Sequence, residues 1–215
     1  LSAGGLLTGC GTPGMRQDPA TCNAPDVSET DRKLVFSNWP LYIDEDGKSL
    51  PTLEAFEAAN DIDVTYQTDI NDNNQFFAKV RMQLGSCETI NRDIITLTDW
   101  MAGRMVGLGW TQPLDEANIP NVRANLIETL REPQWDPGRA HSVPWQSGLT
   151  GIAYNAKYTD EVTSFEELVT RGDLKGRISL LREMGDTMAF FLKLVGADPD
   201  DFSQEEWDEA LARLE

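Results

Sequence analysis

Two periods of apolar and polar positions alternate along the first half of the chain. Leu34 to Phe36 is a short apolar run that predicts a strand, and it leads directly into a turn carrying Trp39 and Tyr42. From Leu50 to Ala59 the positions Leu50, Leu53 and Phe56 have helical spacing, with Asn60 placed to end the helix. Ile62, Val64 and Tyr66 then alternate as on a strand. Phe76 to Leu84 predicts a second helix, Asp93 to Thr98 a strand with paired isoleucines, and Trp100 to Val106 a helix after Asp99. Strand and helix in alternation predict an α/β lobe with a mainly parallel sheet.

The pattern breaks between Asn118 and Gly138, where polar, proline-bearing connections surround Trp135, and resumes at SVPWQSGLTGIAYN, residues 142 to 155. Ser164 with Glu167, and Ser203 with Glu206, have the spacing by which a hydroxyl and a carboxylate satisfy the free N–H groups of a helix start. Between these two helices, Arg177 to Leu181 predicts a strand and Thr187 to Val195 a helix closed by Gly196. In the last helix Trp207, Ala210, Leu211 and Leu214 form an apolar stripe that needs a packing partner. No internal repeat is visible.

With 215 residues, 40% hydrophobic and 25% charged, the chain has the profile of one large or two small globular domains. Its net charge of −18, from 36 acidic against 18 basic residues, disfavours nucleic acid and anionic membrane surfaces as partners and attracts cations. The same charge also serves plain solubility.

Residues 1–9, LSAGGLLTG, are uncharged and run into Cys10; the tetrad Leu7, Thr8, Gly9, Cys10 resembles the bacterial lipobox. That resemblance implies a signal-peptide remnant over 1–9 and a lipid-modified Cys10. Residues 10–30, rich in Gly, Pro, Asp, Ser and Thr, then read as a flexible tether. The protein is thus expected outside the cytoplasm, periplasmic or at the cell surface, held to the cell membrane by its lipid. Three thiols suit an oxidising compartment once one is taken by lipid; Cys22 and Cys87 then either form a disulfide, the expected outcome, or stay as two thiols.

Aromatic faces at a strand end, Trp39 and Tyr42, and carboxylates before a helix, Glu183 and Asp186, together suit an organic cation. Taken singly, the same residues serve as core aromatics and a helix cap. Catalytic alternatives find little support. His141 is the lone histidine, Ser147 lacks the preceding glycine of a nucleophile elbow, and Gly103, Gly107 and Gly109 lack the context of a phosphate loop. No Cys/His cluster has metal-ligand spacing, so neither metal nor cofactor is implied.

Four segments in order, FSNWPLYID (36 to 44), DIITLTDWM (93 to 101), SVPWQSGLTGIAYN and KGRISLLREMGDTMAFFLKLVG (175 to 196), make the chain similar to the spermidine/putrescine-binding proteins of polyamine ABC importers. These form a branch of the periplasmic-type solute-binding proteins. The resemblance implies a type II periplasmic-binding-protein-like α/β fold of two lobes with mixed sheets and a hinge. Lobe one is placed at 31–147, and the crossover with a partial lobe two at 148–215, the second lobe being incomplete and the chain the front part of a longer protein. It also implies a polyamine ligand, permease subunits as partners and no enzymatic activity.

Carried over by residue, Trp39 and Tyr42 match the family's aromatic pair, Thr98 and Trp100 a hydroxyl and an aromatic, and Glu183 and Asp186 two acids with exchanged lengths. Asp99 stands where relatives often have a small polar residue; it either adds a carboxylate to the cleft or caps the following helix. The family's chief amine-binding aspartate falls beyond residue 215. The rival expectations are a binding lipoprotein for another solute, such as a compatible solute, a sugar or an iron complex, and an extracytoplasmic hydrolase.

Overall fold

A computed structural model describes residues 24–215. Residues 1–9, Cys10 and Cys22 lie outside the described residues. The chain divides into two compact units, one ending at Val143 and one spanning Pro144–Glu215. The change of unit thus falls slightly before the expected boundary at 147.

The first unit is built on a parallel sheet of order β2-β1-β3, with β1 at Lys33–Ser37, β2 at Asp63–Gln67 and β3 at Ile94–Ile95. β1 is central, and Leu34 to Phe36 is apolar without interruption because both faces of such a strand are covered. Leu34 pairs with Val64, and Phe36 with both Tyr66 and Ile94. β3 is shorter than the expected Asp93 to Thr98. The partner strand ends at Ser37, whose carbonyl accepts from Thr96 N at 3.0 Å, so nothing remains for residues 97 and 98 to pair with.

Helix α1 (Pro51–Asn60) starts on a proline, whose fixed φ suits the first turn, and ends one residue later than expected at Asp61, in the left-handed conformation with φ 53°. Helix α2 (Asn73–Gly85) is capped by Asp72, whose carboxylate accepts from Gln75 N at 2.7 Å. Helix α3 (Asp99–Gly107) has Thr98, not Asp99, at its N-cap, and no side chain caps it. Phe76 and Val80 of α2 and Met105 of α3 close a core with Ile70 and Ile90, against which Trp39, Ile95, Leu97 and Trp110 pack.

The stretch expected to be irregular holds a short helix α4 (Pro120–Asn125) and three-residue turns of 3-10 helix at Glu116–Asn118, Glu128–Leu130 and Pro137–Arg139. Trp135 there lies so close to α3 that a Cβ added to Gly103 would meet its side chain at 3.0 Å. His141 is part of a structural network: its ring Nδ1 lies 3.1 Å from Thr111 Oγ1. Its backbone N–H donates to the buried carboxylate of Asp136, which also accepts from Ser142 Oγ at 2.7 Å.

The second unit carries α5 (Phe165–Thr170), α6 (Met184–Leu194) and α7 (Gln204–Leu214) around Met188, Phe191, Leu192, Ala197 and Ala210. The α7 start is a complete reciprocal cap between Ser203 and Glu206. At α5 only half of that device forms. Ser164 Oγ accepts from Glu167 N, but the Glu167 carboxylate reaches one residue further, to Thr163. Trp207 and Ala210 find their partners in this core, while Leu211 and Leu214 remain exposed. The strand expected at Arg177 to Leu181 is absent. Those residues lack a sheet neighbour among the described residues, and a lone strand has no ladder to stabilise it. They border a cavity of about 430 Å³ that Tyr154, Val162, Phe165 and Phe190 also line. Cys87 is disulfide-bonded.

Among the described residues no helix is long and apolar enough to cross a membrane, and no His, Cys, Asp and Glu side chains group to hold a metal.

Candidate functional site

In a parallel sheet the loops beyond the carboxyl ends of the strands are the place where ligands meet the backbone. All five candidate residues of the first unit lie beyond these strand ends: Trp39 and Tyr42 in the loop after β1, Thr98 in the loop after β3, and Asp99 and Trp100 in the first turn of the helix that follows it. The rings of Trp39 and Tyr42 stack with centroids 6.2 Å apart and planes 30° from parallel. Trp39 is half-buried, packs on the core, and donates its indole N–H to Thr96 O at 3.0 Å, so the ring is held by the β3 loop. Pro40 followed by Leu41 in the left-handed region (φ 64°) is the residue order of a type II turn, and it separates the two aromatics.

Thr98 Oγ1 is buried without a hydrogen-bond partner among the described residues. Its backbone N–H donates to Asn73 Oδ1 at 3.2 Å, which ties the loop to the start of α2. Asp99 is exposed in the first turn of α3. There its charge complements the positive helix end without capping it. Trp100 exposes 38% of its surface.

Sequence reasoning missed three further groups at this sheet edge. Asn38, fully buried, donates its N–H to Gln67 O at 2.8 Å and accepts from Trp39 N through its own Oδ1. Asn73 is equally buried. Arg92 donates Nε to Ser37 Oγ at 2.8 Å, Nη1 to Ile90 O at 2.8 Å, and Nη2 to Asp69, which Lys79 also contacts at 3.0 Å. Burial alone would push the Asp69 carboxyl up, but hydrogen bonds from Arg92, Lys79 and Ser37 outweigh it and hold it below the usual carboxylate range. Asn38 adjoins an aromatic and Arg92 precedes a strand. No spacing rule singles out either, because their roles depend on neighbours far along the chain.

In the second unit Glu183 occupies the N-cap of α6 but does not cap it, and Asp186 lies in the first turn of the helix rather than before it. An acid there is normally favoured by the helix dipole. Here burial, and secondly the negative charge of Glu183, push the Asp186 carboxyl above its ordinary value. Two acids held close and partly dried are suited to take up a cation, which would relieve both costs.

The chain is 30% identical, over 121 residues, to the putrescine-binding periplasmic protein of Pseudomonas aeruginosa; the match covers 55% of this chain and 29% of that protein. The crystal structure of a spermidine/putrescine ABC transporter substrate-binding protein from Streptococcus pneumoniae superposes with a TM-score of 0.62 at 25% identity, over 85% of this chain and 53% of the other. The chain therefore spans about half the length, or less, of these relatives, and it shares their periplasmic-binding-protein α/β fold. Residues 52–215 match the family of bacterial extracellular solute-binding proteins as a whole, and to that family the chain belongs.

Proposed function

We propose that the protein is the substrate-binding component of an ABC importer and captures a polyamine, spermidine or putrescine, without catalysis. The observation that carries this is the stacked Trp39–Tyr42 pair after β1 together with the unsatisfied hydroxyl of Thr98 after β3, both beyond the strand ends of a solute-binding fold. The names of two relatives point the same way.

An ammonium group gives up its water only for carboxylate, hydroxyl or carbonyl acceptors, while ring faces cover the methylenes between the charges. The first unit offers rings and a hydroxyl, and the second offers Glu183 and Asp186. Arg92 and Lys79 both contact Asp69 Oδ2 and offset the charge of that carboxylate. The cellular setting completes the proposal: Cys10 carries the lipid, Cys22 is the disulfide partner of Cys87, and permease subunits receive the loaded protein. An unreduced intact mass of the membrane-extracted protein that lacks both the lipid and the disulfide would remove this part.

Calorimetry on the full-length protein tests the ligand, with putrescine and spermidine set against a compatible solute, a sugar and an iron complex. Polyamine binding is expected, with Trp39→Ala and Glu183→Gln each weakening it by about 1–3 kcal/mol. Unchanged affinity in both variants would take these residues out of the site. Heat from another solute alone would replace the polyamine.

A further inference from the structure

We infer that Arg92 is a positioning residue that sets the orientation of the Trp39 ring, an inference that rests on the polyamine reading for its effect on affinity. The two sides of the central strand are held very differently. Toward β2, β1 makes a ladder from Lys33↔Asp63 to Ser37↔Gln67, continued by Asn38 N to Gln67 O at 2.8 Å. Toward β3 only Phe36↔Ile94 and Ser37↔Ile95 pair. Yet it is the β3 side, through Thr96 O, that holds the indole of Trp39. Trp39 points reproducibly only if β3 stays in register with β1, and two paired residues are a weak guarantee of register.

Side chains supply what the main chain lacks. Asp93 returns its own carboxylate to Val35 N at 2.7 Å, while its N–H donates to Val35 O at 2.9 Å. Arg92, next to it, spreads its guanidinium over three segments at once. Nε goes to Ser37, the last residue of β1; Nη1 goes to Ile90 O, ahead of β3; and Nη2 goes to Asp69, beyond β2. Asp69 is followed by Ile70, whose N–H reaches Asn38 O at 3.4 Å, and Asn38 holds the backbone of Trp39. Two of these three routes from Arg92 therefore end one or two residues from Trp39. The Arg92 side chain is 15% exposed and its guanidinium carbon lies 5.9 Å from the Phe76 ring centre, so it is packed as well as bonded.

Only a planar fork makes three such bonds from one position. A lysine ammonium keeps the attraction to Asp69 but not the simultaneous reach to Ser37 and Ile90. A merely stabilising arginine would lower the melting temperature on replacement and leave the ligand site of the folded protein unchanged. A positioning arginine changes the site at temperatures where the protein is fully folded.

The test uses the full-length protein with Arg92→Met and Arg92→Lys, read by the Trp39 indole N–H resonance without ligand, by spermidine and putrescine affinity, and by thermal melting. Both variants are expected to move or broaden the indole resonance, and Arg92→Met to weaken polyamine binding by about tenfold. Arg92→Lys should recover most of the melting temperature without restoring the indole signal. Should Arg92→Met not fold, the Arg92→Lys indole signal alone decides. An unmoved resonance with affinity within about twofold of the parent, in a folded variant, overturns the inference. If the parent protein binds no polyamine, the proposed function fails instead, and the ligand-free indole resonance still decides the role of Arg92.

Discussion

Asp186 offers a test of the proposed function at the scale of a single residue. Its carboxyl titrates above the ordinary range, first because it is partly buried and then because Glu183 repels its charge. A carboxyl raised in the folded state opposes folding once ionised, and that opposition disappears as pH falls through the raised value. A bound ammonium reverses the sign, because it favours the carboxylate and lowers the same pKa. Polyamine binding should therefore release a fraction of a proton at pH values near the raised pKa, and affinity should fall as acidification protonates Asp186. Calorimetry in two buffers of different ionisation enthalpy measures the proton release. Asp186→Asn should abolish both the release and this part of the pH dependence. Equal apparent heats in the two buffers near the raised pKa would show that the ligand does not meet this group.

Among the elements, α3 carries a constraint that its glycine spacing disguises. Gly103, Gly107 and Gly109 suggest a phosphate loop and fail that test on context. Gly103 has a different reason: the Trp135 side chain lies against it where a Cβ would make a 3.0 Å contact. Gly103→Ala gains helix propensity but must displace an indole, so a net destabilisation of about 1–3 kcal/mol is expected in a denaturant melt. A neutral or stabilising result would mean that Trp135 yields easily. The same helix shows where sequence reading succeeds and where it stops. Periodicity located β1, α1, β2 and α3 to within one residue at each end, and α2 to within three at its start, because an apolar repeat is a local signal. It overextended β3 and supplied a strand at 177–181, because strand formation depends on a neighbour that local pattern does not reveal. Of the candidate site, the aromatics and acids were legible as residue types placed at element ends. Asn38, Asn73 and Arg92 were not, since their bonds reach partners between 23 and 55 positions away.

At the scale of the whole molecule, the charge of −18 acts on a ligand before any single residue touches it. A field of one sign raises the encounter rate of an oppositely charged ligand by about 10-fold to 1,000-fold at low ionic strength, and salt removes the gain once the screening length falls below molecular dimensions. Partly buried pairs inside a site are screened far less. The two effects separate in kinetics: added salt should reduce the association rate constant strongly and the dissociation rate constant only slightly. Spermidine, with more ammonium groups than putrescine, should show the steeper slope. Stopped-flow fluorescence of the full-length protein, following its tryptophans across a salt series, measures both rates. An association rate that stays flat with salt would mean that the acidic surface serves solubility alone and plays no part in drawing a cation in.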